Sequence, residues 1–380
     1  MRFSRGATGF CVLLTLNIAT CHIVYDATTC GYPSTDLAKL RMRRQVSNAS
    51  DEYNVTDYND NESDEAQEDN DNTGYEDDYS LDANSTEPTD ANDPLRKKVM
   101  GGKKVERGEL PWNVLLLVNI DDKVCGGTLI TRRHVITAAH CFWGPPENED
   151  EDKCSIKEAY PVRDVIRKAR VVVGGVCMEE SEEEDCQKED IGVQMKIKRA
   201  WYAGFYEEGC DGTRDIAFLE LARDVPEGIH HVCLPHLHDV DDMDDATTKL
   251  FSCGFGSNPL AGYEYKVSPR LQKIDLGLRL SESECKLSEP TKMPDTFCTQ
   301  EYSEKDVCHG DSGGGITSVI NGRHYLVGLV SYGTSCEDLV KGAAPKAQVH
   351  TDIEYYTAAI DTFIDMRVED RKSRWEKVLL

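Results

Sequence analysis

Three side chains that can together activate a nucleophile occur in order along this chain of 380 residues. His140 lies in the segment ITAAHC, Asp215 opens the segment DIAFL, and Ser312 lies in the segment GDSGG. A serine hydroxyl is a weak nucleophile near neutral pH and needs a base within hydrogen-bond reach. An imidazole can take its proton, and a carboxylate can hold that imidazole in the right tautomer. Because His…Asp…Ser is a known chain order for such a triad, we predict that these three residues are catalytic.

The elements that must position these residues are short β-rich runs separated by Gly and Pro turns, which is typical of an all-β domain. Clear runs cover 114–120, 170–173 and 325–332. Near the C-terminus, Tyr356, Ile360, Phe363 and Ile364 have the spacing of one helix face. The residues alone therefore predict a β domain that ends in a helix.

Further segments accompany the triad: VMGG from Val99, LPW from Leu110, CGGTLI from Cys125, VCLP from Val232, CGFG from Cys253 and SYG from Ser331. With them the chain resembles the trypsin-like serine proteases of the chymotrypsin fold, from about Val99 to Ile364. The resemblance implies an all-β domain of two six-stranded antiparallel β-barrels with a C-terminal helix, and with the triad in the cleft between the barrels. It also implies that peptide bonds are cleaved through an acyl-enzyme, and that the backbone N–H groups of Gly310 and Ser312 form the oxyanion hole.

Substrate specificity is expected to depend on Asp306, six residues before Ser312. In the family this position is the base of the primary pocket, where an Asp selects Arg or Lys. The resemblance implies that Ser331 to Gly333 pair with the substrate backbone and that Gly333 keeps one pocket wall open. Gln348 stands where trypsins carry a second glycine, so it either narrows the pocket or caps Asp306. That departure keeps a second function open: a catalytically impaired binding or regulatory protein with the protease fold.

A basic run, Arg96-Lys97-Lys98, directly precedes Val99. In the family, cleavage at this position frees an ammonium that pairs with the Asp beside the nucleophile, here Asp311. We therefore expect a zymogen that an activating protease cuts after Lys98. The alternative is a basic linker that is never cut.

The N-terminal region is predicted to consist of a signal peptide at 1–21 and an acidic, disordered pro-segment at 22–98, followed by the protease domain at 99–380. Arg2 and Arg5 precede an apolar run too short to span a bilayer. From Gln45 to Pro94 there are 17 acidic residues and no Lys or Arg, a composition that favours disorder. This stretch holds four glycosylation acceptors, at Asn48, Asn54, Asn61 and Asn84.

Fifteen cysteines indicate an oxidising, extracellular location. The resemblance implies the pairs Cys125–Cys141, Cys285–Cys298 and Cys308–Cys336. It also implies a bridge from Cys233 to the pro-segment, with Cys30 favoured over Cys21. Cys253 is expected to be unpaired, because Ser318 stands where relatives carry its partner. The pairing of Cys154, Cys177, Cys186 and Cys210, which lie in inserted loops, stays open.

Two acidic insertions, 147–152 and 179–190, separate His140 from Asp215. In relatives a loop in this region can bind calcium, an ion that oxygen ligands suit, but a solvated acidic loop is the favoured interpretation, and no cofactor is expected. The net charge of −26 excludes nucleic acid as a partner. The expected partners are protein or peptide substrates and an activating protease. Protease inhibitors are a further candidate class.

Overall fold

The structure is a computed structural model that describes residues 25–34, 100–120, 123–144, 159–202, 204–205, 213–238, 240, 248–261, 263–285 and 293–364. Its strands are β1 Lys103–Lys104, β2 Asn113–Leu117, β3 Val124–Leu129, β4 His134–Thr137, β5 Arg170–Val173, β6 Val193–Trp201, β7 Ala217–Leu221, β8 Leu250–Gly254, β9 Ser257–Asn258, β10 Tyr263–Val267, β11 Gln272–Gly277, β12 Thr296–Gln300, β13 Gly315–Ile320, β14 Arg323–Tyr332 and β15 Ala347–Asp352. Its helices are α1 Val162–Lys168, α2 Cys336–Val340 and α3 Thr357–Phe363. The all-β prediction with a C-terminal helix is confirmed.

The first barrel closes with the strand order β2-β3-β4-β7-β6-β5. Its neighbouring strands are all antiparallel. Apolar residues from these strands, among them Val114, Leu116, Ile136 and Phe218, are buried together in one core. Burial of this apolar surface is the main favourable term that holds the barrel closed.

The second half of the domain is a seven-stranded antiparallel sheet with the order β1-β11-β8-β13-β14-β15-β12, where the resemblance implied a closed six-stranded barrel. In the described part of the chain no ladder joins β11 to β12. β11 ends at Gly277, which has a φ of 79°, a conformation that glycine adopts readily. Among the described residues, a hydrogen bond from Leu280 N–H to Cys298 C=O at 2.9 Å joins the chain after β11 to β12.

The C-terminal helix α3 packs on the first barrel. Ile360 and Ile364 are buried in the barrel core, and Phe363 packs against Phe218 with ring centroids 5.3 Å apart. Arg199 of β6 stacks on the outer face of Phe363 at 4.4 Å. The helix thus covers one side of the barrel, as the spacing of its apolar residues predicted.

Residues 25–34 lie within the segment expected to be disordered, yet they pack on the domain. Cys30 is buried and bonded to Cys233. Gly31 N–H donates to His231 C=O at 2.9 Å, and Gly31 C=O accepts from His324 N–H at 2.9 Å. The predicted signal peptide and the rest of the predicted pro-segment, with its acidic stretch and four glycosylation acceptors, lie outside the described residues. No helix in the described ranges is long and apolar enough to cross a membrane.

Candidate active site

The pairing of β4 with β7 brings His140 and Asp215 together. Thr137, the last residue of β4, is opposite Ala217, the first residue of β7. His140 follows β4 in a short 3₁₀ turn, and Asp215 precedes β7, so both leave the same end of the ladder. His140 Nδ1 is 2.8 Å from Asp215 Oδ2, and His140 N–H donates to Asp215 Oδ1 at 2.9 Å. Since an ionised carboxylate only accepts, Nδ1 carries the proton and Nε2 is left with a free lone pair.

Asp215 is buried among groups that favour its charged form. Burial alone would raise the pKa of Asp215, but the His140 ring and the hydrogen bonds from His140 and Ser331 together lower it below its usual value. Ser331 Oγ donates to Asp215 Oδ2 at 2.5 Å, and Thr351 Oγ1 donates to Asp215 C=O at 2.9 Å. The sequence predicted Ser331 only as a substrate-pairing residue, and this hydroxyl contact adds a positioning role.

The Ser312 turn lies directly against β3 and the His140 turn. Ser312 C=O accepts from Gly126 N–H of β3 at 2.8 Å and lies 3.7 Å from Cys141 Sγ. At Gly313, with a φ of 78°, an added Cβ would overlap Thr137 Oγ1. Only glycine therefore lets this turn approach the end of β4. The turn thus places the Ser312 backbone against Cys141, the residue after His140; among the described residues no hydrogen bond joins the Ser312 and His140 side chains.

Two backbone N–H groups beside Ser312 are available to a substrate. In the part of the chain that the structure describes, no hydrogen bond uses the N–H of Gly310 or Ser312. Their neighbours are bonded: Asp311 N–H donates to Cys308 C=O at 2.9 Å, and Gly313 N–H donates to Val330 C=O at 2.8 Å. Such paired free donors beside a nucleophile can stabilise an oxyanion.

Asp306 is a buried carboxylate close to this turn. Its oxygens accept from Val307 N–H at 2.8 Å and Tyr302 N–H at 3.4 Å. Burial raises the pKa of Asp306 to about 8, and the neighbouring Glu301 carboxylate adds to that shift. A buried carboxyl with a raised pKa gains from the arrival of a cation, because the cation restores its charged form.

Glu301, which no sequence motif indicated, ties two loops together near the predicted pocket. It is buried; its Oε1 accepts from Thr334 N–H at 2.7 Å and its Oε2 from Lys346 N–H at 2.6 Å. Thr334 lies in the loop that precedes α2, and Lys346 lies in the loop that precedes β15. Glu301 therefore fixes the spacing of the two loops that flank Gly333 and Gln348.

Gln348 fills space beside Gly333. It is 4% exposed, and a Cβ added to Gly333 would overlap its Oε1. Within the described residues, this Oε1 is buried without a hydrogen-bond partner. Leaving a buried acceptor unsatisfied costs about 1–3 kcal/mol. The carboxamide therefore presents an unsatisfied acceptor at the wall that the sequence assigned to the substrate pocket.

Asp311 lies beneath the Ser312 turn in a space that only glycines leave open. Its oxygens accept from Gly256 N–H and Cys308 N–H, each at 2.8 Å, and a Cβ at Gly254 or Gly256 would overlap it. Burial raises its pKa to about 6 although these two bonds oppose the shift. No cation pairs with it within the described ranges. Lys98 and Val99 lie outside those ranges.

Comparison with known proteins shows which family has this arrangement. The family described as Trypsin matches residues 99–360. The chain belongs to the trypsin family. It is 33% identical over 274 residues to the trypsin-like protease try-5 of Caenorhabditis elegans, which covers 67% of this chain and 83% of that protein. It is also 29% identical over 258 residues to the CLIP domain-containing serine protease B15 of Anopheles gambiae, over 66% of each chain.

A second mosquito relative, the CLIP domain-containing serine protease B9, is 29% identical over 279 residues, which cover 69% of this chain and 62% of that protein. Because the chain belongs to the trypsin family, it is a serine protease. This membership also implies that its substrates are proteins or peptides.

Five disulfides tie the trypsin-family domain together in the described ranges. The pairs implied by the resemblance, Cys125–Cys141, Cys285–Cys298 and Cys308–Cys336, are at bonding distance. Cys30 pairs with Cys233, and Cys177 with Cys186. Cys253 is buried and free, with its thiol 3.4 Å from Asn113 Oδ1. Cys21, Cys154 and Cys210 lie outside the described residues.

Two carbonyls of the second acidic insertion are hydrogen-bonded to an internal cation. The guanidinium of Arg270 donates to Glu184 C=O at 3.2 Å and Asp185 C=O at 2.6 Å, beside the Cys177–Cys186 bridge. An internal cation already occupies the space that a metal bound to these carbonyls would need. The other insertion, 147–152, lies outside the described residues.

Proposed function

We propose that this chain is a secreted serine endopeptidase, made as a zymogen, which cleaves peptide bonds after Arg or Lys. The observation that carries the proposal is the His140–Asp215 pair, which lies against the Ser312 turn and its two free N–H groups. A mechanism follows from the direction of the hydrogen bonds. Nδ1–H of His140 is held by Asp215, so Nε2 is the atom that can take the Ser312 proton.

In this mechanism Ser312 Oγ attacks the scissile carbonyl while His140 Nε2 accepts the hydroxyl proton. The carbonyl oxygen becomes an oxyanion and accepts from the N–H groups of Gly310 and Ser312, each worth about 2.7–4 kcal/mol of transition-state stabilisation. His140 then protonates the leaving amine, and Asp215 stabilises the imidazolium in between. Water hydrolyses the acyl-enzyme by the same steps in reverse.

Specificity for a basic residue is supported by Asp306. Its carboxyl is buried without a cation partner among the described residues and neighbours a second buried carboxylate, Glu301. A substrate guanidinium or ammonium would supply the missing positive charge. A peptide library read by mass spectrometry tests this directly: cleavage after Arg or Lys is expected, and cleavage after large aromatic residues would contradict it.

Synthesis as a zymogen is supported by the state of Asp311, whose buried carboxylate has no cation partner among the described residues. An ammonium freed by cleavage after Lys98 would supply one. Secretion is supported by the N-terminal apolar run and by five disulfides, which persist in oxidising compartments. N-terminal sequencing of the protease chain, separated by reduction from the activated protein, should read Val-Met-Gly-Gly.

One observation favours a second function, a non-catalytic binding or regulatory protein: the Gln348 carboxamide lies in the space that Gly333 leaves. A fluorophosphonate probe that reacts with an activated serine separates the two functions. We expect the cut protein to be labelled and its Ser312→Ala variant not to be. A cut, folded protein that resists labelling would favour the second function.

A further inference from the structure

We infer that Gln348 makes the primary pocket select lysine over arginine, with Gln348 Oε1 as the direct acceptor of the substrate ammonium. The inference rests on the proposed function, because it assumes that the chain cleaves after basic residues. It goes beyond that function by assigning the discrimination between the two basic side chains to one residue.

The first step is the position of the carboxamide. Gln348 is opposite Thr299 in the β12–β15 ladder, and its side chain reaches across to Gly333. Glu301 Oε1 lies 2.8 Å from the Cβ position of the same glycine. An amide oxygen and a carboxylate therefore converge on Gly333, which the family resemblance places in one wall of the primary pocket.

The second step is the state of these acceptors. Glu301 already accepts two backbone N–H groups, and so does Asp306. Gln348 Oε1 accepts none from the described residues, although it is buried. Among the described acceptors beside Gly333, Gln348 Oε1 is the one that lacks a hydrogen-bond donor, and a bound ligand can supply that donor.

The third step is the shape of the two cations. An arginine guanidinium is a rigid planar fork that binds best when both of its arms reach one carboxylate. Both oxygens of Asp306 already hold a backbone donor, and the Gln348 carboxamide takes space that a wide planar group would need. A lysine ammonium is compact and has three rotatable donors, so it can bind an amide oxygen and an acidic group at the same time.

The experiment compares two peptide substrates that differ only in Lys or Arg before the cleaved bond, with the full chain cut after Lys98. We expect kcat/KM to favour Lys by roughly tenfold or more, the size typical of a pocket that discriminates by one contact. Gln348→Gly should reverse the preference, because it removes the acceptor and opens the wall.

The matched control is Gln348→Met, which keeps the length of the side chain but has no amide oxygen. If Oε1 accepts the ammonium, this variant loses most of the preference for Lys; if it keeps the preference, the assigned acceptor role is wrong. Thermal unfolding identifies a variant that does not fold, and the wild-type ratio then decides the question alone. A wild-type preference for Arg overturns the inference but leaves the proposed function standing. An absence of cleavage after both residues contradicts the proposed function instead.

Discussion

The buried carboxyl of Asp311 predicts that the difference between uncut and cut protein grows as the pH rises. Burial raises the pKa of Asp311 to about 6, against 3.8 for an exposed aspartate. The ordered form of the turn that contains Asp311 and Ser312 therefore has its full stability below pH 3.8 and loses stability as the pH rises towards 6. The difference between the two pKa values corresponds to about 3 kcal/mol at neutral pH. About half of that penalty is already present at pH 5.

An ammonium at Val99 would remove this penalty in the cut protein, because the carboxylate would then have a partner. The assay is the rate of fluorophosphonate labelling, measured at several pH values from 5 to 7.5. The uncut form carries Arg96→Gln, Lys97→Gln and Lys98→Gln so that it stays intact. Taking the ratio of the two rates removes any pH effect that the cut and uncut forms share. We expect the ratio of cut to uncut rates to rise about tenfold over this range.

Asp311→Asn in the uncut chain is the control, because it removes the titrating group and should give the uncut labelling rate the same pH dependence as that of the cut wild type. A ratio that stays constant from pH 5 to 7.5 in the wild-type pair would refute the reasoning. It would mean that the ordered turn exists in the uncut chain without a penalty from Asp311.

Three further outcomes are expected. Ser331→Ala should lower kcat by roughly 10- to 100-fold with little change in KM, because Asp215 loses a hydrogen bond to its charged form, worth about 1.5–3 kcal/mol; an unchanged kcat would exclude the positioning role. Arg270→Gln should lower the free energy of unfolding by about 2 kcal/mol, because its hydrogen bonds to the second acidic insertion are lost. EDTA should leave the melting temperature of the wild type unchanged. A lower melting temperature in EDTA would show that a metal holds this insertion. Burial lowers the pKa of His231 to about 4, so the unfolded chain binds the extra proton first and stability should fall as the pH drops from 6.5 towards 4, by up to about 3 kcal/mol from this residue. In a pH series of thermal melts, His231→Phe should weaken that dependence, and an unaltered dependence would contradict the assignment.

The sequence was most informative where chemistry depends on contiguous residues. Ser312, His140 and Asp215 each lie in a short segment whose order and motif predicted a triad. The fold pairs His140 with Asp215 and places the Ser312 backbone beside Cys141. Asp306 could be assigned by a count to Ser312 that crosses no gap. The C-terminal helix followed from the periodicity of its own apolar residues.

Features that depend on distant contacts were not predictable in this way. Glu301 matters because its oxygens accept from residues 33 and 45 positions along the chain, and nothing near it in sequence marks that role. Arg270 donates to a loop carbonyl 86 positions away. The contacts of its guanidinium with this loop could not be anticipated from the acidic residues themselves. The packing of 25–34 likewise depends on partners such as His324, near the other end of the chain.

The Cys30–Cys233 bridge has a consequence for what activation would produce. These two cysteines stand 203 positions apart, on opposite sides of Lys98. A cut after Lys98 would therefore divide the backbone without dividing the molecule. The product would be a two-chain protein that runs as one band on a gel until a reductant separates it. The 17 acidic residues between Gln45 and Pro94 would stay attached to the protease domain as a tethered polyanion, so that maturation would leave the charge of the whole particle almost unaltered.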